Sequence, residues 1–291
     1  MGLTRVSLQQ AIDGVLAAES ELDDDRHDDA PDLEPGDDTA EVLACPAVEP
    51  ESEPPLLAAA EAGASIAMAG SLLTVGRLDD VPLFFARGVD PRPQSFPIEP
   101  GFLAVLERTV RTVRARAPES FGRLERITSA GAFVNKPGFH GKGRAFDHDA
   151  WKFQHVNIRP IARDHVAPEL AKRQRYWALA ALMRSRSAFV LHGHFDAAHQ
   201  DHIHQDNGGP RPFTTGSEAT VKLVQAICNH IFGRLPELEI DGAFGPKSQA
   251  AATDAMHRVD LAGDITDPGQ WKRFLLRSGR LGFELSMTHQ P

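Results

Sequence analysis

The sequence has only two cysteines and lacks long apolar runs. Its two cysteines, Cys45 and Cys228, cannot form a disulfide framework in a chain of 291 residues. No apolar run reaches the ~18 residues that a membrane-spanning helix needs, so we expect no membrane span. The first residues lack an unbroken apolar stretch, so we also expect that the chain has no secretory signal peptide. We therefore expect it to be made in the cytoplasm. Hydrophobic residues still make up 42% of the chain, which excludes a wholly disordered protein.

The sequence also lacks an even distribution of charge. The formal net charge is −9, but residues 21–55 hold fourteen acidic residues against one arginine. The rest of the chain has 26 acidic and 30 basic residues, a net charge of +4. Like charges at this density repel, so we expect residues 21–55 to form a disordered acidic linker. The mildly basic remainder suits approach to an anionic surface, and nucleic acid is not among the partners we expect.

The segments that flank this linker have different patterns. Residues 1–20 predict a short amphipathic helix with Ile12 on its apolar face. Residues 56–76 are small and apolar, but their uncharged part spans only 15 residues, too short to cross a bilayer as a helix. Residues 81–100 are rich in proline and phenylalanine and predict irregular structure. We therefore expect residues 56–100 to form an apolar, irregular segment that can dock on a partner.

Two folded units are expected after residue 100. Residues 101–213 predict an α+β domain, a small antiparallel sheet with flanking helices, because helical periodicity surrounds residues 124–134 and 189–191, which have the pattern of strands. Residues 216–291 predict a small all-α domain of three helices. Those helices are expected at residues 221–231, 246–256 and 268–277, with a tight Asp-Gly turn before the second.

Histidine is concentrated in the first of these units. Nine of the thirteen histidines lie between His140 and His204, where an even spread would put about three. His140 and Asp147 both suit Zn²⁺, which takes histidine nitrogen and aspartate oxygen as ligands. Seven residues are too many for one helical turn, so a loop and a strand must bring the pair together. Gly141 and Gly143 suit that tight path.

A second cluster lies between His199 and His204. Alternate side chains of a strand share a face, so His202 and His204 are expected to point the same way. A catalytic zinc site keeps three protein ligands and leaves the fourth position for water, and His140, Asp147 and His204 supply that set. A nearby base would complete the activation of the water. The candidates for that base are His202, Asp201 and His199.

The remaining histidines of this region are weaker candidates. His192 and His194 form a competing pair on one strand face, and we expect them to line the cleft or face solvent. Three further histidines and one aspartate are expected not to bind metal: His148, His155, His165 and Asp149.

These two clusters resemble a known family. Residues 140–147 fit the HxxGxAxD signature of the D-Ala-D-Ala carboxypeptidase and lysostaphin-like zinc peptidases, and residues 190–206 are similar to the VL…DAAHxDHxHxD stretch of the extensin-like C-terminal domain, a branch of that group. The resemblance covers residues 101–209 and implies a zinc peptidase-like fold. The zinc ligands that it implies are His140, Asp147 and His204.

The family divides over the base. Some members use an acidic residue three positions before the last ligand, which is Asp201 here. Others use an HxxHxH arrangement, which His199, His202 and His204 match. We favour His202, because strand alternation puts it on the ligand face, with Asp201 as the second choice.

The sequence departs from the family at two positions. The family usually has serine two residues before the first ligand, where this chain has Gly138. It also has an arginine shortly upstream that holds the substrate or its oxyanion, where this chain has Lys136. Lysine lacks the guanidinium fork, so bidentate binding of a carboxylate would be lost. These departures leave open an alternative, a non-catalytic cell-wall-binding adaptor whose peptidase-like domain is inert.

The C-terminal unit resembles a different family. Residues 221–227 and 240–251 look like the peptidoglycan-binding repeat, LQxxL…DGxFGpxTxxA. The two resemblances together imply an endolysin-like cell-wall hydrolase that cleaves a peptide bond in the stem or cross-bridge of peptidoglycan. Because that substrate lies outside the cytoplasm, we expect lysis-type release, carriage on a phage or injection particle, or non-classical export. Residues 1–20 and 56–100 would then dock on such a particle.

Overall fold

The computed structural model describes residues 10, 12–14, 72–88, 90–206 and 212–288. The chain is a mixed α/β protein. The predicted linker and most of the flanking segments lie outside the described residues. Residues 12–14 are helical, and the side chain of Ile12 is 2% exposed within the main hydrophobic core. This part of the predicted amino-terminal helix therefore packs on the folded protein.

The strands form two sheets. A two-stranded antiparallel sheet pairs β1 (Leu73–Val75) with β5 (Phe96–Ile98). The central sheet has eight strands, in the order β2-β3-β6-β7-β10-β9, with β4 beside β3 and β8 beside β7. These eight strands are β2 (Arg77–Leu78), β3 (Val81–Phe85), β4 (Arg92–Pro93), β6 (Leu124–Gly131), β7 (Ala145–Phe153), β8 (Asn157–Ile158), β9 (Phe189–Leu191) and β10 (Ile203–Asp206).

The central sheet is mixed, whereas the sequence predicted a small antiparallel one. Strands β3 and β6 are parallel, and every other pairing among the described residues is antiparallel. The reason is the connection, since helix α1 (Pro100–Arg116) lies between these two strands in the chain. Parallel neighbours require such a crossover, and antiparallel neighbours do not.

The prediction of irregular structure for residues 81–100 was wrong. Val81 and Leu83 are buried and alternate with more exposed residues along β3, as in a strand with one face on the core. Pro93 and Pro97 lie in β4 and β5, which each have a single neighbouring strand. Proline is tolerated in such strands because its missing N–H does not interrupt a central ladder.

The helices predicted between residues 101 and 187 are confirmed. Helix α1 begins after Glu99, whose carboxylate accepts hydrogen bonds from the N–H groups of Gly101 and Phe102 at 3.0 and 2.8 Å. This N-cap satisfies two of the free amides of the first turn, and its negative charge suits the positive end of the helix dipole. Helix α2 (Leu170–Arg184) is buried along most of its length.

The three helices predicted after residue 216 are also present; the first and third of them pack on α2, and the second packs on the first. They are α3 (Glu218–His230), α4 (Pro246–Arg258) and α5 (Pro268–Thr288). A Cβ atom at Gly279 of α5 would lie 2.5 Å from Cγ of Leu182 in α2, so the two helices approach closely. One hydrophobic core includes buried residues from both predicted units. That residues 216–291 are a peptidoglycan-binding domain stays a prediction.

None of the helices in the described part of the chain combines the length and the hydropathy of a membrane-spanning segment.

Candidate metal centre

The register of two strands brings the candidate ligands Asp147 and His204 together. Strands β7 and β10 are antiparallel, and His204 lies directly opposite Asp147. Nδ1 of His204 is 2.9 Å from Oδ1 of Asp147. Opposed residues of an antiparallel pair project to the same face of the sheet, so this contact is set by the backbone.

A tight loop brings His140 to the same place. His140 begins a short 3-10 helix (His140–Lys142) that is capped by Gly143, whose φ of 66° lies in the left-handed region. Gly141 has no room for a side chain, because a Cβ atom there would overlap the carbonyl oxygen of Lys136. Nε2 of His140 lies 3.2 Å from Oδ2 of Asp147. The glycines of the motif therefore have the role that the sequence predicted.

The three ligand atoms lie within 4.8 Å of one another, so His140, Asp147 and His204 can hold a metal ion. The ring nitrogens that point away from the cluster are engaged. Nδ1 of His140 donates to the carbonyl oxygen of Ala132, and Nε2 of His204 lies 3.0 Å from Oδ2 of Asp206. Histidines that bind metals usually donate their other N–H group to a carbonyl or carboxylate, and this arrangement therefore fits a metal centre.

The carboxylates control the charge of the centre. Burial opposes the charged form of His204, but its hydrogen bonds and charge interactions with Asp147 and Asp206 raise its pKa to about 9. Burial also acts against ionisation of Asp147, yet the contacts with His140 and His204 hold the pKa of its carboxyl group well below the usual range. Asp147 is therefore an anionic group, which is the form that ligates a cation.

Two of the candidate bases stand beside these ligands. Nε2 of His202 lies 3.6 Å from Oδ1 of Asp147, and Nδ1 of His202 lies 2.9 Å from Oδ1 of Asp201. His199 ends a short 3-10 helix, and its Nδ1 is 2.6 Å from Oδ1 of Asp196. His199, His202 and His204 form a second group that can hold a metal ion, and it shares His204 with the first.

Asp201 is tied to an arginine that the sequence did not indicate. Oδ2 of Asp201 accepts a hydrogen bond of 2.6 Å from Nη1 of Arg87. The same guanidinium group bonds Asp149, at 2.7 Å from Nη2 to Oδ1 and 3.2 Å from Nε to Oδ2. Arg87 lies 62 residues from Asp149 and 114 from Asp201, outside the predicted catalytic domain. No local pattern indicates a contact across such distances.

The two positions that depart from the family have different surroundings. Gly138 has a φ of 94°, in the left-handed region where serine is strongly disfavoured, so the glycine fits the loop as it is built here. Lys136 is exposed. Among the described residues, no hydrogen bond or ion pair joins its ammonium group to the histidine cluster.

The other histidines point elsewhere. His148 is buried on the opposite face of β7, with Nε2 donating to Oε1 of Gln205 at 2.9 Å, and burial lowers its pKa to about 3. His192 donates from Nε2 to the carbonyl oxygen of Ala219 at 2.9 Å and has no exposed surface. The prediction that His192 lines the cleft or faces solvent was therefore wrong, because α3 covers it.

Comparison of the chain with models of protein families, with curated proteins and with solved structures found no match. The chemistry of the site and the two sequence motifs are therefore the grounds for a function.

Proposed function

We propose that this protein is a zinc-dependent peptidoglycan peptidase that cleaves a peptide bond in the stem or the cross-bridge. The observation that carries this proposal is the meeting of His140, Asp147 and His204, with His202 directly beside them. A metal-ligand set with an adjacent imidazole base is the combination that metal-assisted amide hydrolysis requires. The resemblance of both motifs to zinc peptidases supports the same reaction class.

Zinc is proposed to bind through Nε2 of His140, a carboxylate oxygen of Asp147 and Nδ1 of His204. We prefer this set to the group of His199, His202 and His204 because its members are more buried. The outward nitrogens of His140 and His204 are also already engaged by Ala132 and Asp206. When bound, zinc supplies a Lewis acid that polarises the substrate carbonyl group and lowers the pKa of water.

His202 is the proposed base. Its Nδ1–H group donates to Asp201, so Nε2 is left as a proton acceptor on the side of Asp147. During hydrolysis the oxygen of water bonds to the amide carbon and the C–N bond breaks. Nε2 of His202 accepts a proton from the water and then delivers it to the leaving nitrogen.

The two other candidate bases have less suitable surroundings. Asp201 is engaged on both oxygens, with Arg87 on Oδ2 and His202 on Oδ1. These contacts hold the pKa of Asp201 below its usual value despite partial burial, which makes it a poor proton acceptor. His199 stands beside His204, with ring centroids 5.7 Å apart, and remains the second imidazole that could serve.

Binding to peptidoglycan is proposed for the C-terminal helices. The predicted Asp-Gly turn is present: Gly242 has a φ of 79°, and its N–H donates to Oε1 of Gln225 at 3.0 Å. Nε2 of the same glutamine donates to Oδ1 of Asp241 at 2.8 Å. Phe244 packs against Phe213, with ring centroids 4.8 Å apart. These contacts show that the motif forms a packed turn. If these helices bind peptidoglycan as proposed, attachment to the wall would raise the local concentration of substrate.

The remaining parts of the proposal concern substrate binding, export and docking. Lys136 would bind a carboxylate or the oxyanion of the substrate from its exposed loop. Because peptidoglycan lies outside the cytoplasm, the proposal includes lysis-type release, particle carriage or non-classical export. Because residues 73–98 form strands of the folded protein, docking on a phage or injection-particle component is proposed for residues 1–20 and 56–71 alone.

A second function is favoured by one observation: the exposed Lys136 has, among the described residues, no hydrogen bond or ion pair to the histidine cluster. Without a cation at the substrate, the protein would be an adaptor that binds the cell wall and does not cleave it. Incubating the full chain with purified sacculi distinguishes the two functions. The peptidase releases soluble peptides, stops in the presence of a chelator and recovers with zinc, whereas the adaptor sediments with the sacculi and releases nothing.

A further inference from the structure

The side chain of Arg87 joins two carboxylates beside the proposed centre. It bonds Asp149 through Nη2 and Nε and Asp201 through Nη1. Burial disfavours the charged form of Arg87, but the hydrogen bonds and charges of Asp201 and Asp149 outweigh this and raise the pKa of the guanidinium group. A planar guanidinium group forms such forked contacts in a fixed geometry, which a lysine ammonium group cannot do.

One end of this bridge is rigid. The side chain of Asp149 has no exposed surface and lies in β7, two residues after Asp147. Residues two apart in a strand share a face, so Asp149 follows the proposed ligand along the same face of the sheet. A buried carboxylate requires a partner, and among the described residues Arg87 is the cation that contacts it. Arg87 is thereby fixed to the strand that carries Asp147.

The other end of the bridge is partly exposed to solvent. The side chain of Asp201 is 43% exposed, so packing alone does not select its rotamer. Its Oδ1 lies 2.9 Å from Nδ1 of His202. A carboxylate held at Nδ1 keeps the proton on that nitrogen and leaves Nε2 free to accept one. Arg87 is therefore in a position to determine which nitrogen of His202 carries the proton.

We propose that Arg87 is a positioning residue that fixes Asp201 against Nδ1–H of His202, so that Nε2 of His202 faces the ligand cluster as a proton acceptor. The catalytic meaning of this role rests on the proposed function. The tautomer itself is a property of the folded chain and can be observed without any substrate.

Side-chain nitrogen NMR of the full chain, free of metal, distinguishes a proton on Nδ1 from one on Nε2 and so reads the tautomer directly. The wild-type chain is expected to show His202 protonated on Nδ1. Arg87→Gln is expected to move the proton largely to Nε2, and Arg87→Lys to give an intermediate mixture. The matched control is Arg92→Gln, because Arg92 is an exposed arginine on the adjacent strand β4. It is expected to leave the tautomer unchanged.

Loss of Arg87 leaves Asp149 buried without its partner, and this can unfold the chain. The double variant Arg87→Gln/Asp149→Asn removes both charges and is expected to show the same change in His202. In either variant, kcat for peptidoglycan cleavage should fall by about 10- to 100-fold while KM and zinc content are retained, because a misplaced base affects the proton transfer.

An unchanged Nδ1–H tautomer in both the single and the double variant, as in Arg92→Gln, would overturn the proposal. A wild-type chain that cleaves no peptidoglycan, but whose His202 changes tautomer when Arg87 is replaced, would refute the proposed function and leave the positioning role intact.

Discussion

Asp147 and His204 are separated by 57 residues in the chain, yet they face one another across two antiparallel strands, with Oδ1 and Nδ1 2.9 Å apart. The backbone hydrogen bonds of the sheet fix this pairing. A shift of the register by one residue would turn one of the two side chains to the opposite face of the sheet. The centre therefore depends on the same interactions that define the sheet, and its geometry exists before any ion arrives.

The outer partner of His204 should tune metal affinity. Replacing Asp206 by asparagine leaves a weaker acceptor at Nε2, so zinc affinity is expected to fall by roughly 10- to 100-fold. Isothermal titration of zinc into the full chain measures this change. His204→Ala should reduce zinc affinity further, because it removes a ligand. The matched control is His155→Ala, since His155 is exposed. Equal zinc affinity in the wild type and in Asp206→Asn would contradict the assigned role of Asp206.

The glycine after the first ligand should be irreplaceable. In Gly141→Ala the new methyl group overlaps the carbonyl oxygen of Lys136, so the loop must move and displace His140. Zinc affinity is expected to fall by roughly tenfold or more, as when a supporting contact of a ligand is lost. The control is Gly131→Ala, where a Cβ atom meets nothing within 4 Å. The prediction fails if both variants bind zinc like the wild type.

Acid should destabilise the packing between α2 and α3. Burial lowers the pKa of His192 and His230 to about 3, below the value of about 6.5 in an unfolded chain. The unfolded state then binds more protons, so their contribution is complete above about pH 6.5 and is lost as pH falls toward 3. Protonation linked to each histidine should lower the free energy of unfolding by on the order of 1–2 kcal/mol at pH 5. Denaturant unfolding between pH 5 and 8 measures the loss.

A variant isolates the contribution of His230 to the pH dependence of the free energy of unfolding. Its ring stacks on Trp177, with centroids 6.1 Å apart and planes at 16°, and phenylalanine can keep that contact without titrating. His230→Phe should therefore flatten the dependence of unfolding free energy on pH, while the exposed His257→Gln should not. An identical slope in His230→Phe and the wild type would show that His230 does not contribute.

The close approach of α5 to α2 should make Gly279 essential for stability. Gly279→Val places a branched side chain against Leu182, which is fully buried, so the free energy of unfolding should fall by at least roughly 2 kcal/mol. Gly216→Val is the matched control, since its Cβ atom would meet nothing within 4 Å. Denaturant unfolding of the full chain checks both. Unchanged stability of Gly279→Val would mean that the two helices are not packed as described.

Much of the centre could be predicted from the sequence, because its residues lie in two short segments. The spacing of His140 and Asp147 and the glycines between them indicated a loop feeding a strand, and the structure has both. The role of Asp206 was not predicted, although a residue two positions from His204 in a strand lies on the same side. These relationships are local, and local patterns are what a sequence displays most directly.

The rest depended on contacts that no local pattern reports. Arg87 reaches Asp149 and Asp201 only because β3 pairs with β6 in the folded sheet. Helix α5 was predicted to end at Arg277, just before Ser278 and Gly279, which are poor helix formers. It continues to Thr288 because that part is buried against α2, and tertiary packing outweighs the weak local preference.

Mass spectrometry of the products released from defined peptidoglycan tests the central claim most directly. The wild-type chain is expected to produce muropeptides with a new amino and a new carboxyl terminus at one peptide bond. That product should disappear after metal removal, return with added zinc and be absent from His204→Ala. Unchanged products after complete metal removal would contradict the account.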